Sequence, residues 1–239
     1  MSQDNNWNDG DERLVLYLDI MGFKERVSQT AISTLKEQLL AFKRKNNRLK
    51  PLLNNTGGGY RRDFLKMAQF SDSIVVISQK STIEDLNRLT KASVILMQTA
   101  MESGFALRGS IAAGKMVFDE ANQLFFGKAL VDAYLLEEDL AFYGVVFHHT
   151  AEKLVRESLE NNNSDIYLPI EDIELSTKKG KSKHFHIAWY KMNKDLSEGS
   201  IVDDALRWLK ALRESVSGSS RTYLDNTVKL VELSSDIHN

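Results

Sequence analysis

The pattern near the start of the chain is a continuous apolar run, Leu14-Val15-Leu16-Tyr17-Leu18. A run of this kind is typical of a strand that is buried on both faces. The run ends at a carboxylate, Asp19, and Gly22 follows three residues later. Because an unpaired charge is costly to bury, Asp19 is expected either to cap the next helix or to bind a metal ion.

Helical and strand-like patterns alternate along the rest of the chain. Helices are predicted over residues 24–50, 82–103, 128–138, 148–160, 202–216 and 219–233. Strands are predicted at residues 105–113, 116–118, 124–126, 143–147, 166–170 and 184–189. Between the first two helices, residues 62–69 and 74–77 read as a β-hairpin, with Phe70-Ser71-Asp72-Ser73 at its bend. The mixture predicts an α/β (α+β) fold.

The domain organisation is simple, since no internal repeat or clear linker divides the chain. We expect one domain over residues 13–239, with a core at about 13–190 and a helical extension at about 201–234. The polar, acidic residues 1–12 are expected to be a disordered terminus.

Composition narrows the classes of partner. The chain has 31 basic and 33 acidic residues, so we expect neither nucleic acid nor a membrane as a partner. It has no cysteine, which excludes disulfides and thiolate metal sites. No signal-peptide pattern and no apolar run of about 18 residues occurs, so a cytoplasmic protein is expected.

A second carboxylate gives Asp19 a partner. Asp72 lies at the predicted hairpin bend, where aspartate is also an ordinary turn residue. A strand ending in one acid beside a hairpin tipped with another makes a site of two carboxylates. Such oxygen ligands suit Mg²⁺ or Mn²⁺ better than zinc.

Two sets of basic residues are candidates for contacting phosphate. Arg108 lies in a predicted strand of small and apolar residues, where a guanidinium needs a partner. It is expected either to bind phosphate or to pair with a carboxylate at the edge of the core. The run Lys178-Lys179-Gly180-Lys181 lies between predicted strands, and is either solvated surface or a phosphate-binding loop.

The order of these features resembles the class III nucleotidyl cyclases. Asp19-Ile20-Met21-Gly22-Phe23 matches the family's Asp-Ile-x-Gly-Phe motif at each fixed position, and Asp72 lies where the family has its second acid. The resemblance continues through Arg108, Gly114, Gly127, Ala133, Leu136 and Glu137. It implies the ferredoxin-like fold of that family, with a mostly antiparallel sheet flanked by helices.

The resemblance also implies a site. Asp19 and Asp72, helped by the backbone carbonyl of Ile20, would hold two divalent cations, Mn²⁺ or Mg²⁺. Residues implied in nucleotide binding, besides Arg108 and the three lysines, are Gly22, Phe23, Tyr60, Ala68, Ser71 and Leu124. Sites in this family form between two protomers, so a homodimer with shared active sites is expected.

Several positions depart from the family pattern. Where the family has a lysine that contacts the purine, this chain has Ala68, and where the family has the acidic partner of that lysine, it has Leu124. The glycine that precedes the second acid in the family is replaced by Ser71. In the family, an asparagine and an arginine on the following helix serve the ribose and the transition state. This chain has Val131 and Leu135 at those positions. Three segments resemble the stand-alone pyrimidine cyclases of bacterial Pycsar antiphage defence: Phe70-Ser71-Asp72-Ser73, Leu107-Arg108-Gly109-Ser110-Ile111 and the stretch from Gly127 to Glu137.

That closer resemblance implies conversion of UTP or CTP to cUMP or cCMP plus pyrophosphate, and a separate effector that the product activates. Two alternatives stay open. One is an adenylate or guanylate cyclase with a diverged base pocket. The other is a catalytically silent module that binds nucleotide or dimerises.

Overall fold

The computed structural model of the chain describes residues 7–55, 62–160, 168–191 and 201–236. The strands are β1 (Asp11–Ile20), β2 (Asn54–Asn55), β3 (Arg62–Asp63), β4 (Leu65–Phe70), β5 (Ser73–Ser78), β6 (Leu107–Asp119), β7 (Leu124–Gly127), β8 (Val145–Phe147), β9 (Ile170–Thr177) and β10 (Gly180–Ile187). The α-helices are α1 (Phe23–Gln29), α2 (Ile32–Lys45), α3 (Lys50–Leu53), α4 (Ile83–Glu102), α5 (Lys128–Asp139), α6 (His149–Glu160), α7 (Ile201–Leu212) and α8 (Gly218–Asp236). Short 3₁₀ turns cover Asn46–Leu49 and Arg213–Ser215.

The large sheet has the strand order β4-β5-β1-β6-β8-β10-β9, with β7 added to the far part of β6. Within the described strands, β6 and β8 form the one parallel pair, and the other neighbours are antiparallel. This arrangement confirms the predicted α/β class, with a mostly antiparallel central sheet between helices.

Strand β1 lies inside the sheet, between β5 and β6, and both of its faces are largely apolar. Leu14, Leu16 and Leu18 are fully buried in the main core, which includes apolar residues of α4. Val15 faces the opposite side and packs in a second cluster with Met116 and Ala129. Since side chains alternate along a strand, Asp19 shares the face of Val15, which is the side that α5 covers.

The helices that flank the sheet follow the predicted patterns closely. Thr82 caps α4, accepting a hydrogen bond from the backbone N–H of Asp85 at 3.2 Å. Helix α5 approaches β6 closely, because a Cβ at Gly114 would lie 3.3 Å from the backbone nitrogen of Ala129. Helices α7 and α8 lie where the pattern predicted helices, over 202–216 and 219–233. No helix in the described ranges combines the length and the apolar character that a membrane span needs.

The predicted helix over 24–50 is instead divided. The backbone of Thr30 is extended, at φ −108° and ψ 140°, so α1 ends there and α2 begins at Ile32. Pro51 lies in the first turn of α3, where its missing N–H leaves no bond unmade.

Two of the predicted strand boundaries are also corrected. The predicted strands at 105–113 and 116–118 are one strand, β6, which begins only at Leu107. Gly114 and Lys115 continue its pairing with Arg13 and Glu12 of β1. The predicted strand at 166–170 falls mostly outside the described residues, and β9 runs onward from Ile170. The lysine-rich stretch is therefore a turn and the start of β10 rather than a loop.

Residues 7–12, which the sequence pattern assigned to a disordered terminus, belong to the fold. Strand β1 begins at Asp11, and the Trp7 ring lies 6.1 Å from the Phe118 ring. The guanidinium of Arg13 lies 4.6 Å from the centre of the Trp7 ring. Burial of this aromatic side chain orders the segment before the strand.

Candidate functional site

Asp19 and Asp72 lie on two chain segments that are connected by a backbone hydrogen bond. Asp19 pairs with Ser73 of β5 on one side and with Arg108 of β6 on the other. Directly opposed residues of antiparallel strands share a face, so these three side chains project on the same side. The backbone N–H of Ile20 donates to the carbonyl oxygen of Asp72 at 2.9 Å. The sheet therefore brings together the two acids that the sequence singled out.

The environment of Asp19 makes its charge unfavourable. Burial raises the pKa of the Asp19 carboxyl to about 6, and the charge of Asp72 adds to the increase, while Arg108 opposes it. A carboxyl with a neighbouring like charge gains most from a cation.

The turn that carries Asp72 is unusual in its backbone. Ser71 has a φ of 54°, in the left-handed region that non-glycine residues rarely adopt. The preceding side chain, Phe70, is 86% exposed at the end of β4. The tip of the hairpin thus presents an acid, a hydroxyl and an aromatic ring to solvent.

Arg108 is in a buried ion pair. Its side chain is nearly inaccessible, and its Nε donates to Oε1 of Glu137 on α5 at 2.5 Å. Its Nη1 donates to the backbone carbonyl of Leu140 at 2.9 Å. Burial raises the pKa of the Glu137 carboxyl to about 7, against the opposite effect of Arg108. The pair with a carboxylate at the core edge is one of the two roles that the sequence left open. Contact of Arg108 with phosphate stays a prediction.

Tyr17 is a polar residue close to Asp19 that was not predicted from the sequence. The Tyr17 hydroxyl lies 2.8 Å from Oγ of Ser73, and the Tyr17 ring packs edge-on against Tyr134 at 5.5 Å. Tyr17 precedes Asp19 by two residues, so strand periodicity already places both side chains on one face. That spacing was the signal that could have identified it.

The remaining residues of the predicted nucleotide site are spread over several elements. Gly22 caps α1 with a left-handed φ of 69°, and Phe23 is the first residue of that helix. Ala68 lies on β4, and Leu124 begins β7 and is 51% exposed. Neither of these strands adjoins β1 in the sheet. Tyr60 lies outside the described residues. The nucleotide-binding roles of this set stay predictions.

The lysines of the β9–β10 hairpin are exposed and mostly paired. Nζ of Lys179 lies 2.8 Å from Oδ2 of Asp139, the last residue of α5. Nζ of Lys181 lies 3.0 Å from Oε2 of Glu174 on the neighbouring strand. The backbone N–H of Lys178 donates to the carbonyl of Asp139 at 2.7 Å. The turn of the hairpin is thus fixed close to the Arg108–Glu137 pair.

The donor set suits a hard divalent cation that also needs ligands from a substrate. In the described ranges no group of three or more His, Cys, Asp or Glu side chains could hold a metal ion. Mg²⁺ characteristically uses one or two protein carboxylates together with water and substrate phosphates. Asp19 and Asp72, close enough for one charge to raise the pKa of the other, fit that requirement.

Comparison with known proteins gives matches among solved structures. The sequence matches no family model and no curated protein. The structure of a bacterial light-regulated adenylyl cyclase matches with a TM-score of 0.51 and 10% identity, covering 76% of this chain and 92% of the other. The chain has the fold of a nucleotidyl cyclase domain.

Two further solved structures that match are also cyclases. Another structure of a bacterial light-regulated adenylyl cyclase has a TM-score of 0.50 and 9% identity, covering 87% of this chain and 57% of the other. The guanylate cyclase domain of RhGC from Catenaria anguillulae, in complex with GTP, has a TM-score of 0.47 and 11% identity, covering 76% and 98%. At these identities the likeness concerns the fold, and activity is a separate question.

Proposed function

We propose that the protein is a metal-dependent nucleotidyl cyclase that converts a pyrimidine nucleoside triphosphate into its 3′,5′-cyclic monophosphate and pyrophosphate. The observation that supports it is that strand pairing and a backbone hydrogen bond place Asp19 and Asp72 close together. They do so in a fold that cyclase domains share. A purely structural role would not need two acids whose proximity raises a pKa.

The reaction requires positive charge and precise placement. The ribose 3′-oxygen forms a bond to the α-phosphorus and loses its proton, while the bond to the bridging oxygen breaks and pyrophosphate leaves. Divalent cations held by Asp19, Asp72 and the Ile20 carbonyl would supply the charge that offsets the triphosphate and favours ionisation of the 3′-hydroxyl. The protein itself contributes the carboxylate of Asp19 near the end of β1, the carboxylate of Asp72 in the β4–β5 turn, and the nearby charge of Arg108.

The choice of a pyrimidine rests on the positions that read the base in class III cyclases. Here those positions hold Ala68 and Leu124, neither of which donates or accepts a side-chain hydrogen bond. A purine edge would therefore lose the lysine and acid that normally bind it. UTP and CTP are the substrates we propose, with a purine triphosphate as the alternative.

A homodimer with shared sites is the proposed assembly. Helix α5 and β7 present exposed apolar side chains at Phe126, Val131 and Leu135, which are 57%, 54% and 55% exposed. Two of these positions hold the ribose and transition-state residues in class III cyclases, where they serve the site of the partner. We propose that a second copy covers this surface.

The biological role we propose follows from the resemblance to Pycsar cyclases. The cyclic pyrimidine nucleotide would act as a second messenger in antiphage defence and activate a separate effector protein. Cells that carry the gene with its neighbours should accumulate cUMP or cCMP on phage infection, and Asp72→Asn should abolish that accumulation.

The deciding experiment incubates the pure protein with each of the four nucleoside triphosphates and Mn²⁺, and separates the products by mass. We expect cUMP or cCMP, no product without the metal, and none from Asp72→Asn. Asp203→Asn, a charge change on the exposed start of α7, is the matched control and should retain activity. Cyclic purine products would favour the diverged adenylate or guanylate cyclase, and binding without product would favour a silent module.

The basic side chain that stabilises the transition state is identified in a separate experiment. A preorganised cation at the phosphorus contributes a few kcal/mol, so its loss should lower the maximal rate rather than substrate affinity. Arg108→Ala is compared with a variant in which Lys178, Lys179 and Lys181 are all alanine, each at saturating UTP and CTP. We expect one of the two to lose most of its rate while remaining folded. Normal cyclisation by both would exclude these residues from the role.

A further inference from the structure

The C-terminal helix α8 contacts the Arg108 pair. The Arg108 guanidinium carbon lies 5.5 Å from the centre of the Tyr223 ring. Its other sides are occupied by Glu137 and by the carbonyl of Leu140. Since a guanidinium is planar and stacks well on aromatic faces, Tyr223 restricts the motions that the two hydrogen bonds leave open.

The same helix holds the segment that follows α5, residues 140–143. The Asn226 side chain donates to the carbonyl of Ala141 at 2.8 Å, and the Thr227 hydroxyl accepts from the backbone N–H of Tyr143 at 2.8 Å. The Tyr143 hydroxyl donates to the carbonyl of Ser220 at 2.9 Å. Ala141, Tyr143 and Thr227 are buried, so these backbone groups have no water to replace a lost partner.

The opposite end of α8 is attached elsewhere. The Ser234 hydroxyl lies 2.7 Å from Oε2 of Glu171 on β9. Glu171 also pairs with Lys191, with Nζ and Oε1 separated by 2.5 Å. Ser234 bonds to β9 and not to residues 140–143, so a change at Ser234 removes no hydrogen bond to that segment.

We propose that α8 is a positioning element of the site. Tyr223, Asn226 and Thr227 hold residues 140–143 and Arg108, which lies opposite Asp19 in the sheet. Leu140 joins the two halves of this arrangement, because its carbonyl binds Arg108 while the next residues bind α8. The kinetic consequence rests on the proposed cyclase function, whereas the structural consequence does not. Tyr223 acts through Arg108 and makes no contact with the reacting atoms in this proposal.

The kinetic experiment compares Tyr223→Leu with Tyr223→Phe, which keeps the ring, and with Ser234→Ala, which weakens the remote end. A small misplacement of a charged group lowers the rate of chemistry more than binding. We expect Tyr223→Leu to lower kcat about tenfold with KM for the triphosphate within about twofold of wild type. Tyr223→Phe should restore kcat, and Ser234→Ala should leave it unchanged. Equal losses in Tyr223→Leu and Ser234→Ala would overturn the proposal.

The structural experiment uses hydrogen–deuterium exchange without nucleotide. Thr227→Val has nearly the shape of threonine but cannot accept the bond from Tyr143, so exchange over 141–147 should rise about tenfold. Ser234→Ala should leave these amides protected. Unchanged exchange in Thr227→Val would show that α8 does not hold the segment. If the wild type makes no cyclic nucleotide, the proposed function fails, and the exchange data still decide this inference.

Discussion

At the scale of single residues, Asp19 is a carboxylate that the fold keeps partly away from water. Burial and the charge of Asp72 raise its pKa to about 6. The folded state therefore holds the Asp19 proton more tightly than the unfolded chain does. By linkage, this stabilisation is complete below about pH 4 and is lost as the pH rises through about 6. The native protein thus carries a cost at neutral pH that a bound cation would offset.

Replacing this carboxylate should separate stability from function. We expect Asp19→Asn to abolish cyclisation and to raise the free energy of unfolding at pH 7.5 by about 1 kcal/mol, after allowance for partial exposure. Urea unfolding between pH 4 and 8 measures this, and the advantage of the variant should disappear near pH 4. Mn²⁺ should stabilise the wild type and not Asp19→Asn. Active Asp19→Asn protein, or a loss of stability at pH 7.5, would contradict the metal site.

The backbone of Ser71 leads to a second residue-scale prediction. A left-handed conformation costs an ordinary residue about 1–2 kcal/mol, and a β-branched side chain tolerates it least. Ser71→Val should therefore lower the free energy of unfolding by about 1 kcal/mol in urea titrations. Gln69→Val places the same side chain on the same hairpin in extended backbone, and should be neutral or slightly stabilising. Similar effects from both changes would exclude backbone strain at Ser71.

Sequence could single out Asp19, because a charge at the end of a buried run conflicts with the pattern. Asp72 could be singled out only as a partner of Asp19, since an aspartate at a bend is ordinary. The φ of Ser71 and the hydrogen-bonding distance between Tyr17 and Ser73 were not predictable, because they depend on how two strands align. Arg108 was identified as needing a partner, and the structure identifies that partner as Glu137.

At the scale of elements, the buried ion pair between Arg108 and Glu137 connects β6 to α5. Removing one member leaves a buried charge without compensation, whereas removing both leaves an apolar contact. Glu137→Leu should lower the free energy of unfolding by about 3 kcal/mol, and the double change Arg108→Met with Glu137→Leu should recover most of it. Calorimetry or urea unfolding measures both.

The matched control for the buried pair is an exposed one. Glu157 pairs with Lys153 at the surface of α6, so Glu157→Leu should change stability by less than about 0.5 kcal/mol. If Glu137→Leu cost no more than this, the Arg108 pair would contribute nothing particular to the contact between β6 and α5.

Element boundaries were predictable where local signals agree with the fold. The periodicity of residues 82–103 predicted α4, which spans Ile83–Glu102. Thr30 breaks the first helical pattern without a glycine or proline at that position, so its extended backbone could not be read from sequence. The sequence pattern predicted two strands, at 105–113 and 116–118, but the pairing of β1 with β6 continues through Gly114 and Lys115.

At the scale of the whole molecule, the exposed apolar face of α5 and β7 leads to a prediction about assembly. We expect a homodimer in sedimentation, with activity per protomer falling as the protein is diluted. Leu135→Glu should produce inactive monomers. Leu233→Glu alters an equally exposed leucine on α8 and should leave the dimer intact. A wild-type monomer whose activity survives dilution would contradict the shared site.

The fold class was predictable from the sequence, whereas the contacts between distant segments were not. Alternating patterns and the resemblance gave a mostly antiparallel sheet with helices, as the structure confirms. The contacts of α8 with residues 140–143 could not be predicted, because they join segments about 80 residues apart through ordinary polar side chains.

The order of strands in the sheet has a consequence for synthesis on the ribosome. Asp19 pairs with Ser73 and with Arg108, so the second partner is made 35 residues after the first (108 − 73). At about 5–20 residues per second, that interval lasts roughly 2–7 s. A nascent chain that pairs β1 with β5 in this time brings Asp19 and Asp72 together before the arginine that offsets them exists. Early pairing of these strands should therefore be reversible, and divalent cations would favour it.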